Sequence, residues 1–174
     1  MTSLIQANIN QEHRLLKTPI FRHILLSTVN AAALFILIQN DVLKFTNYDK
    51  ESPYELFFAN NMSNLPDAEW ISNELRRLIE IMYKGDKTAI FIGKHPCFDS
   101  LYDIFKLRYQ EVGGGDENES FIATVSIGGD SYSTIVNSNF KAIIIIESEI
   151  YEELPQSFLN RFEKFNLTYE TELL

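Results

Sequence analysis

Four short runs of apolar residues along the chain have the pattern of β-strands. They are residues 23–27 (HILLS), 54–58 (YELFF), 88–92 (TAIFI) and 141–146 (KAIIII). Three of them are nearly continuous in apolar residues, as strands are when both faces of their sheet are covered. The pattern therefore predicts four strands of a parallel sheet.

Amphipathic segments between and after these runs predict helices. Asp67 can cap a first helix and Gly85 can end it, a second helix follows Pro96, and Pro155 stands in the first turn of a third. Strands that alternate with helices of this length indicate right-handed βαβ units, and hence an α/β fold. The predicted apolar stripes of the three helices are Ile71, Leu75, Leu78, Ile79 and Met82; Phe98, Leu101, Tyr102, Phe105 and Tyr109; and Phe158, Leu159, Phe162 and Phe165.

One segment departs from this alternation of strands and helices. Residues 121–136 contain two alternating runs around Gly128, Gly129 and Asp130, which is typical of a β-hairpin. We expect the hairpin to be inserted before the last buried strand and to project from the domain. Residues 1–20 are polar and weakly patterned, so we interpret them as a linker or N-terminal extension and residues 21–174 as one domain.

Composition and charge limit the classes of function. The chain has 174 residues, 45% hydrophobic and 22% charged, with 24 acidic and 15 basic side chains and a net charge of −9. This balance argues against a stand-alone nucleic-acid-binding protein. The longest apolar run, 31–38, is too short for a membrane span, and no secretory signal is visible. The single cysteine, Cys97, excludes an internal disulfide and a zinc site built on cysteines.

The two motifs of a working nucleotide site are missing from the places where the fold would carry them. A phosphate loop needs glycines and a lysine after the first strand, where the chain has Ser27, Thr28, Val29 and Asn30. The third strand should end in an acidic pair, and it is followed by residues 93–95 instead. The residues at that position are Gly93, Lys94 and His95. We therefore predict no nucleotide binding of the usual kind, and we find no spacing of ligands or nucleophiles that predicts a metal site or a catalytic residue.

The end of the chain offers one specific functional candidate. Pro155 opens a short helix that ends in Asn160, Arg161 and Phe162, and Arg161 falls at the edge of the apolar stripe. Its guanidinium can therefore leave the core and reach a phosphate or carboxylate of a neighbour. The alternative is an exposed ion pair with Glu153 or Glu163, which would contribute less than about 1 kcal/mol.

Three stretches together resemble an AAA+ module, and more narrowly the mysterin-type giant AAA+ RING-finger E3 ubiquitin ligases. They are residues 22–37, residues 100–105 with Tyr109 and the glycines from Gly113, and residues 139–164. The resemblance implies the large α/β subdomain of a P-loop NTPase-like unit within a six-unit core built in one chain. Only some units of that core keep working ATP sites, and this sequence matches a unit that has lost both nucleotide motifs. We expect it to stop before the helical lid of such a unit.

The resemblance also implies a function. It indicates a non-catalytic unit that packs against adjacent AAA+ units of the same chain and transmits their ATP-linked motion, with Arg161 acting in trans. The parent protein would combine ATP hydrolysis with ubiquitin transfer in the cytoplasm and contact the ubiquitin machinery. ATP and zinc are expected only elsewhere in that parent, and neither a cofactor nor nucleic acid nor a transmembrane segment is expected in these residues.

Two alternatives come from other classes of protein. One is an independent α/β enzyme whose site lies at the carboxyl ends of the strands. Its site residues would be Lys94, His95, Asp99, Glu147 and Ser148. The other is a plain protein-binding module, which needs neither nucleotide nor chemistry.

Overall fold

A computed structural model describes residues 23–28, 54–59, 68–112 and 120–167 of the chain. The strands in these ranges are β1 (Ile24–Thr28), β2 (Tyr54–Phe58), β3 (Thr88–Ile92), β4 (Gln110–Glu111), β5 (Ser120–Ile127), β6 (Asp130–Asn137), β7 (Lys141–Glu147) and β8 (Glu163–Leu167). The helices are α1 (Ala68–Lys84), a 3₁₀ helix (Pro96–Leu101), α2 (Tyr102–Phe105), α3 (Ser148–Glu153) and α4 (Gln156–Leu159).

Five strands form one parallel sheet in the order β2-β3-β7-β1-β8. The four predicted strands are all present, and the predicted α/β class with a mostly parallel sheet is confirmed. β7 lies at the centre, where Ile144 stands between Leu25 of β1 and Phe91 of β3. Side chains from Ala142 to Ile146 are buried on both faces of the sheet, which explains why the isoleucine run is continuous rather than alternating.

The helix α1 confirms the first predicted helix. Leu75, Leu78 and Met82 are buried against the sheet at helical spacing. Gly85 follows the last helical residue with φ of 65° and donates its N–H to the carbonyl of Ile81, as predicted for the helix stop. The predicted cap, Asp67, lies outside the described residues.

The second predicted helix is wrong in its periodicity. Residues 96–101 form a 3₁₀ helix and α2 adds only one turn. A 3₁₀ helix repeats every three residues, so Phe98, Leu101 and Ile104 share the buried face. Tyr102, which the α-helical stripe placed inside, is therefore 38% exposed.

The third predicted helix is shorter than its apolar pattern. Pro155 is the N-cap of α4 rather than a first-turn residue, and α4 ends at Leu159. Phe165, predicted on that helix, lies in β8 and packs on the opposite face of the sheet from Phe158. Pairing with β1 explains why the helix ends early. The N–H of Glu163 donates to the carbonyl of His23 at 2.9 Å, and the residues that follow pair with β1 as the outermost strand of the sheet.

The predicted hairpin is confirmed as β5 and β6, which pair antiparallel around Gly128 and Gly129. Both glycines have positive φ, as a two-residue hairpin turn requires. The expectation that the hairpin projects is wrong, since Phe121, Val125 and Val136 are buried in the same core as α1. Together with β4 the hairpin forms a second, three-stranded sheet whose inner face closes this core. None of the described helices is long and apolar enough to cross a membrane.

Candidate functional site

The predicted site residues fall at two opposite edges of the parallel sheet. Thr28 ends β1 and Gly93 follows β3, so the positions of the two nucleotide motifs lie at the carboxyl edge. Arg161 comes two residues before β8, whose first residue Glu163 pairs with Ile24, the first residue of β1. Arg161 therefore lies at the edge where the strands begin.

At the carboxyl edge, the described half of the phosphate-loop position is bound into the sheet. The Ser27 hydroxyl donates to Oδ1 of Asn166 on β8 at 3.2 Å, and Thr28 is completely buried. Val29 and Asn30 lie outside the described residues. The two described residues of the predicted phosphate-loop position, Ser27 and Thr28, are therefore packed within the sheet.

The position of the acidic pair presents no carboxylate. Gly93 has φ of 85° and donates its N–H to the carbonyl of Ile145 at 2.8 Å. A Cβ on this glycine would approach the Cβ of Ala59 to 3.0 Å, so the close approach of two chain segments favours glycine here. Lys94 is exposed, whereas His95 turns into the core.

His95 caps the 3₁₀ helix from inside an aromatic cage. Its Nδ1 accepts from the backbone N–H of Cys97 at 3.2 Å, so the neutral ring carries its proton on Nε2. That Nε2 has no hydrogen-bond partner and lies 3.7 Å from Oε2 of Glu74. The ring packs against Trp70 and Phe91 with centroid distances of 5.3 and 5.4 Å. Burial, and then the positive charge of Arg77, lower the pKa of His95 to about 4, so the ring is neutral at pH 7.

Of the residues of the enzyme alternative, Lys94, Asp99 and Glu147 are exposed, whereas His95 is buried. No hydrogen bond or ion pair within the described ranges joins any two of Lys94, His95, Asp99, Glu147 and Ser148. The side chain of His95 has no exposed surface, which keeps it from contacting a substrate.

The single cysteine is equally unsuited to chemistry. Burial first, and then the charge of Glu74, raise the pKa of the Cys97 thiol to about 12, which makes it a poor nucleophile. No group of three metal-ligating side chains occurs in the part of the chain that the structure describes.

The opposite edge holds Arg161 in a defined position. Its Nε donates to the carbonyl of Ser157 at 3.2 Å, and its Cζ lies 4.2 Å from the ring centroid of Tyr102 and 5.3 Å from that of Phe158. None of the ion pairs among the described residues involves Arg161. The guanidinium is therefore stacked on the Tyr102 ring and held at its Nε.

Two further cations surround the same ring, and the sequence analysis missed both. Nζ of Lys106 lies 4.7 Å and Cζ of Arg108 lies 5.2 Å from the Tyr102 centroid. A hydrogen bond from Lys106 and the positive charges of Lys106, Arg108 and Arg161 lower the pKa of the Tyr102 phenol. The i, i+4 spacing of Tyr102 and Lys106 is the signal that could have revealed the pair.

A cleft of about 260 Å³ opens beside this cluster. Its lining comes from the end of α2 with the two residues after it, and from α4 with the two residues after it. Its lining residues are Phe105, Lys106, Leu107, Ser157, Asn160 and Arg161.

A comparison with protein families places these features in one family. The model of the family described as the RNF213 AAA domain matches residues 13–173. The match covers the parallel sheet, the hairpin and both edges just described. No curated protein matches the chain.

Proposed function

Because the chain belongs to the RNF213 AAA domain family, we propose that it is a non-catalytic AAA unit. It packs against neighbouring AAA units of the same protein and transmits the motion that ATP hydrolysis produces in them. The observation that carries this proposal is the composition of the carboxyl edge of the sheet.

A catalytic unit needs a lysine for the β- and γ-phosphates and carboxylates for magnesium and water. Residues 27–33 contain neither lysine nor glycine, and residues 93–95 contain no acid. The buried, neutral His95 and the hydrogen-bonded Ser27 do not replace those groups. The unit therefore contributes structure rather than hydrolysis at its own edge.

Arg161 is the residue through which this unit acts on a neighbour. It lies at the sheet edge opposite the unit's own nucleotide position, so its guanidinium faces a different surface of the unit. An arginine supplied from outside a nucleotide site stabilises the charge that develops during phosphoryl transfer. Stacking on Tyr102 and the bond to Ser157 hold the side chain ready for such a contact.

The proposal extends to the parent protein. It would join ATP hydrolysis in other AAA units to ubiquitin transfer, work in the cytoplasm, and hold its ATP and zinc outside this unit. The sequence that flanks this unit in the gene tests that extension, because a helical lid and a RING framework of cysteines and histidines are expected there.

Calorimetric titration of the isolated chain with Mg-ATP tests the non-catalytic assignment. We expect no binding at micromolar nucleotide, because the carboxyl edge lacks both the phosphate-binding lysine and the metal-binding acids. Arg161→Ala serves as the parallel sample, since it removes the stacked guanidinium of Arg161 at the opposite edge. A micromolar Kd in both samples would contradict the proposal.

A further inference from the structure

The two sheets of the described residues have four edge strands, and three of these are protected against pairing with another strand. β8 begins with the charged residues Glu163 and Lys164, and β4 has only two residues. On β2, Nη2 of Arg77 donates to the carbonyl of Leu56 and so occupies an acceptor of that edge. Charges, short strands and covered backbone groups are the ordinary protection of a sheet edge.

The fourth edge strand, β6, has none of this protection. It is eight residues long, and residues 131–137 contain neither a charged side chain nor a proline. Ser131, Tyr132 and Ser133 are exposed, and Ile135 is 40% exposed. Tyrosine, threonine, isoleucine and valine, which make up most of the rest of the strand, favour β-structure. A long, exposed and uncharged edge strand is a surface for pairing with another strand.

The pairing with β5 decides which backbone groups of β6 point outward. Ile127 and Asp130 flank the two-residue turn as a hydrogen-bonded pair, and bonded pairs alternate with non-bonded pairs from there. The N–H and C=O groups of Ser131, Ser133 and Ile135 therefore point away from β5. Within the described ranges, no backbone hydrogen bond from another element reaches these three residues.

We propose that β6 pairs antiparallel with β6 of a second copy of this chain, so that the two three-stranded sheets join into one continuous sheet. The register that uses all three outward residues places Ser133 opposite its own copy. Ser131 then lies opposite Ile135 of the second copy, and each such pair exchanges two main-chain hydrogen bonds. The inference does not rest on the proposed function, because β6 carries none of the nucleotide positions.

The neighbouring register is blocked at one end of the strand. Pairing centred on Thr134 would need the carbonyl of Asn137, which already accepts from the N–H of Phe140 at 3.0 Å. The side chain of Asn137 is also occupied, since its Oδ1 accepts from the N–H of Asn139. The register centred on Ser133 avoids this residue.

The side chains of β6 suit pairing with a copy of the same strand. Two-fold antiparallel pairing places any charge near the centre of a strand close to its own copy, and the centre of β6 carries none. Tyr132 lies opposite Thr134 of the second copy, which is an aromatic and β-branched pair of the kind that stabilises sheets. Asp130, the charged residue of the strand, lies opposite Val136 at the outer end of the pairing.

Analytical ultracentrifugation of the chain from about 10 μM to about 1 mM tests the pairing. We expect a monomer–dimer equilibrium with a Kd on the order of 100 μM, because one strand edge is a small interface. Association should strengthen as salt is added, since each copy carries a net charge of −9. Hydrogen exchange of the Ser131, Ser133 and Ile135 amides should slow in the dimer.

Ser133 gives the sharpest variants, because it faces its own copy. Ser133→Lys and Ser133→Glu each place like charges opposite each other and should weaken self-association by at least about tenfold. An equimolar mixture of the two variants should associate again, because opposite charges then face each other. Gln110→Lys adds a positive charge at the β4 edge of the same sheet and should leave association unchanged. Circular dichroism checks that each variant is folded.

Each of four results would overturn this pairing. A chain that stays monomeric at about 1 mM leaves the edge to a strand of another protein. Equal self-association of Ser133→Lys and the unmodified chain, or no association in the mixture of Lys and Glu variants, places the contact elsewhere. Growth beyond the dimer contradicts a two-fold pairing that uses the β6 edge of each copy once.

Discussion

At the scale of single residues, the buried ring of His23 holds distant elements together. Nδ1 of His23 accepts from the N–H of Ala142 at 3.0 Å, and its Nε2 lies 3.3 Å from the carbonyl of Ile104. The ring thus connects β7 to α2 while it is buried between Phe105 and Phe140. The sequence shows no spacing that marks this role, because all its partners are distant along the chain.

The buried state of His23 predicts a loss of stability in acid. Burial lowers its pKa from 6.5 to about 4. Between these values the unfolded chain binds a proton that the folded chain excludes, so the free energy of unfolding decreases as the pH falls from 6.5 to 4. For His23 the decrease is on the order of 3 kcal/mol. Urea unfolding at pH 7.5, 5.5 and 4.5 measures the total decrease, to which His95 also contributes because burial lowers its pKa to about 4 as well.

His23→Gln is the control for that pH dependence. The amide keeps a donor and an acceptor but does not titrate, so part of the slope between pH 6.5 and 4 should disappear. An equal slope in both chains would show that His23 does not carry the effect.

Cys97 should be unreactive in the folded chain. Burial holds its thiol protonated at pH 8, and the thiolate is the form that reacts. A disulfide reagent that releases a coloured thiolate should modify it at least a hundredfold more slowly in the native chain than in urea. Native modification at the rate of a free cysteine would contradict the buried position.

At the scale of elements, the end of α1 meets the end of β6. Gly85 adopts φ of 65°, and a Cβ there would overlap the side chain of Asn137. That side chain is itself held, because its Oδ1 accepts from the N–H of Asn139 at 2.9 Å. The end of α1 therefore packs so closely against Asn137 of β6 that position 85 has room only for glycine.

Gly85→Ala should lower the free energy of unfolding by roughly 2–3 kcal/mol, since it combines a left-handed conformation with this overlap. Gly129→Ala is the matched control, because Gly129 has φ of 93° in open space and should lose only about 1 kcal/mol. Urea unfolding of both variants gives the comparison. Equal losses would mean that the contact with Asn137 is not tight.

The central strand makes the sharpest test of the parallel sheet. Ile144 is completely buried in β7 between two neighbouring strands, so Ile144→Asp should cost more than about 4 kcal/mol and unfold the chain. Ile135→Asp places the same charge at a position of β6 that is 40% exposed, and should change stability by less than about 1 kcal/mol. Circular dichroism measures both. A folded Ile144→Asp variant would contradict the strand assignment.

Elements that depend on long apolar runs were predictable, and those set by tertiary contacts were not. The run of isoleucines predicts the buried strand β7, and the 3.6-residue periodicity of apolar positions predicts the helix α1. The segment after Pro96 has apolar residues that fit both a 3₁₀ and an α-helical period, and the sequence does not decide between them. Phe165 fits the stripe of α4, yet pairing with β1 places it in a strand.

At the scale of the whole molecule, the two edges of the sheet have different characters. The carboxyl edge carries the positions where the sequence predicted degenerate nucleotide motifs, with Ser27 and His95 packed inward. The opposite edge gathers Lys106, Arg108 and Arg161 from two segments more than fifty residues apart. The sequence predicts Arg161 as a candidate from its helix, and this stays a prediction. The accompanying cations depend on how α2 packs beside α4, which no local pattern encodes.

The last prediction distinguishes two roles for Arg161, a contact with a neighbouring AAA unit and stabilisation of this chain's own fold. Its side chain is half-buried, and within the described ranges its hydrogen bond goes to the carbonyl of Ser157 four residues earlier. Arg161→Ala should therefore lower the stability of the isolated chain by less than about 1 kcal/mol. In the full parent chain the same change should reduce ATPase rate by tenfold or more, because an arginine in trans stabilises the transferred phosphoryl group.

Arg161→Lys should restore little of that rate, since it keeps the charge but loses the bidentate fork and the planar stack on Tyr102. Thermal melts of the isolated variants and ATPase assays of the parent variants make the comparison. A stability loss above about 2 kcal/mol in the isolated chain would mean that Arg161 supports an internal network, and the action on a neighbouring unit would then have to be abandoned.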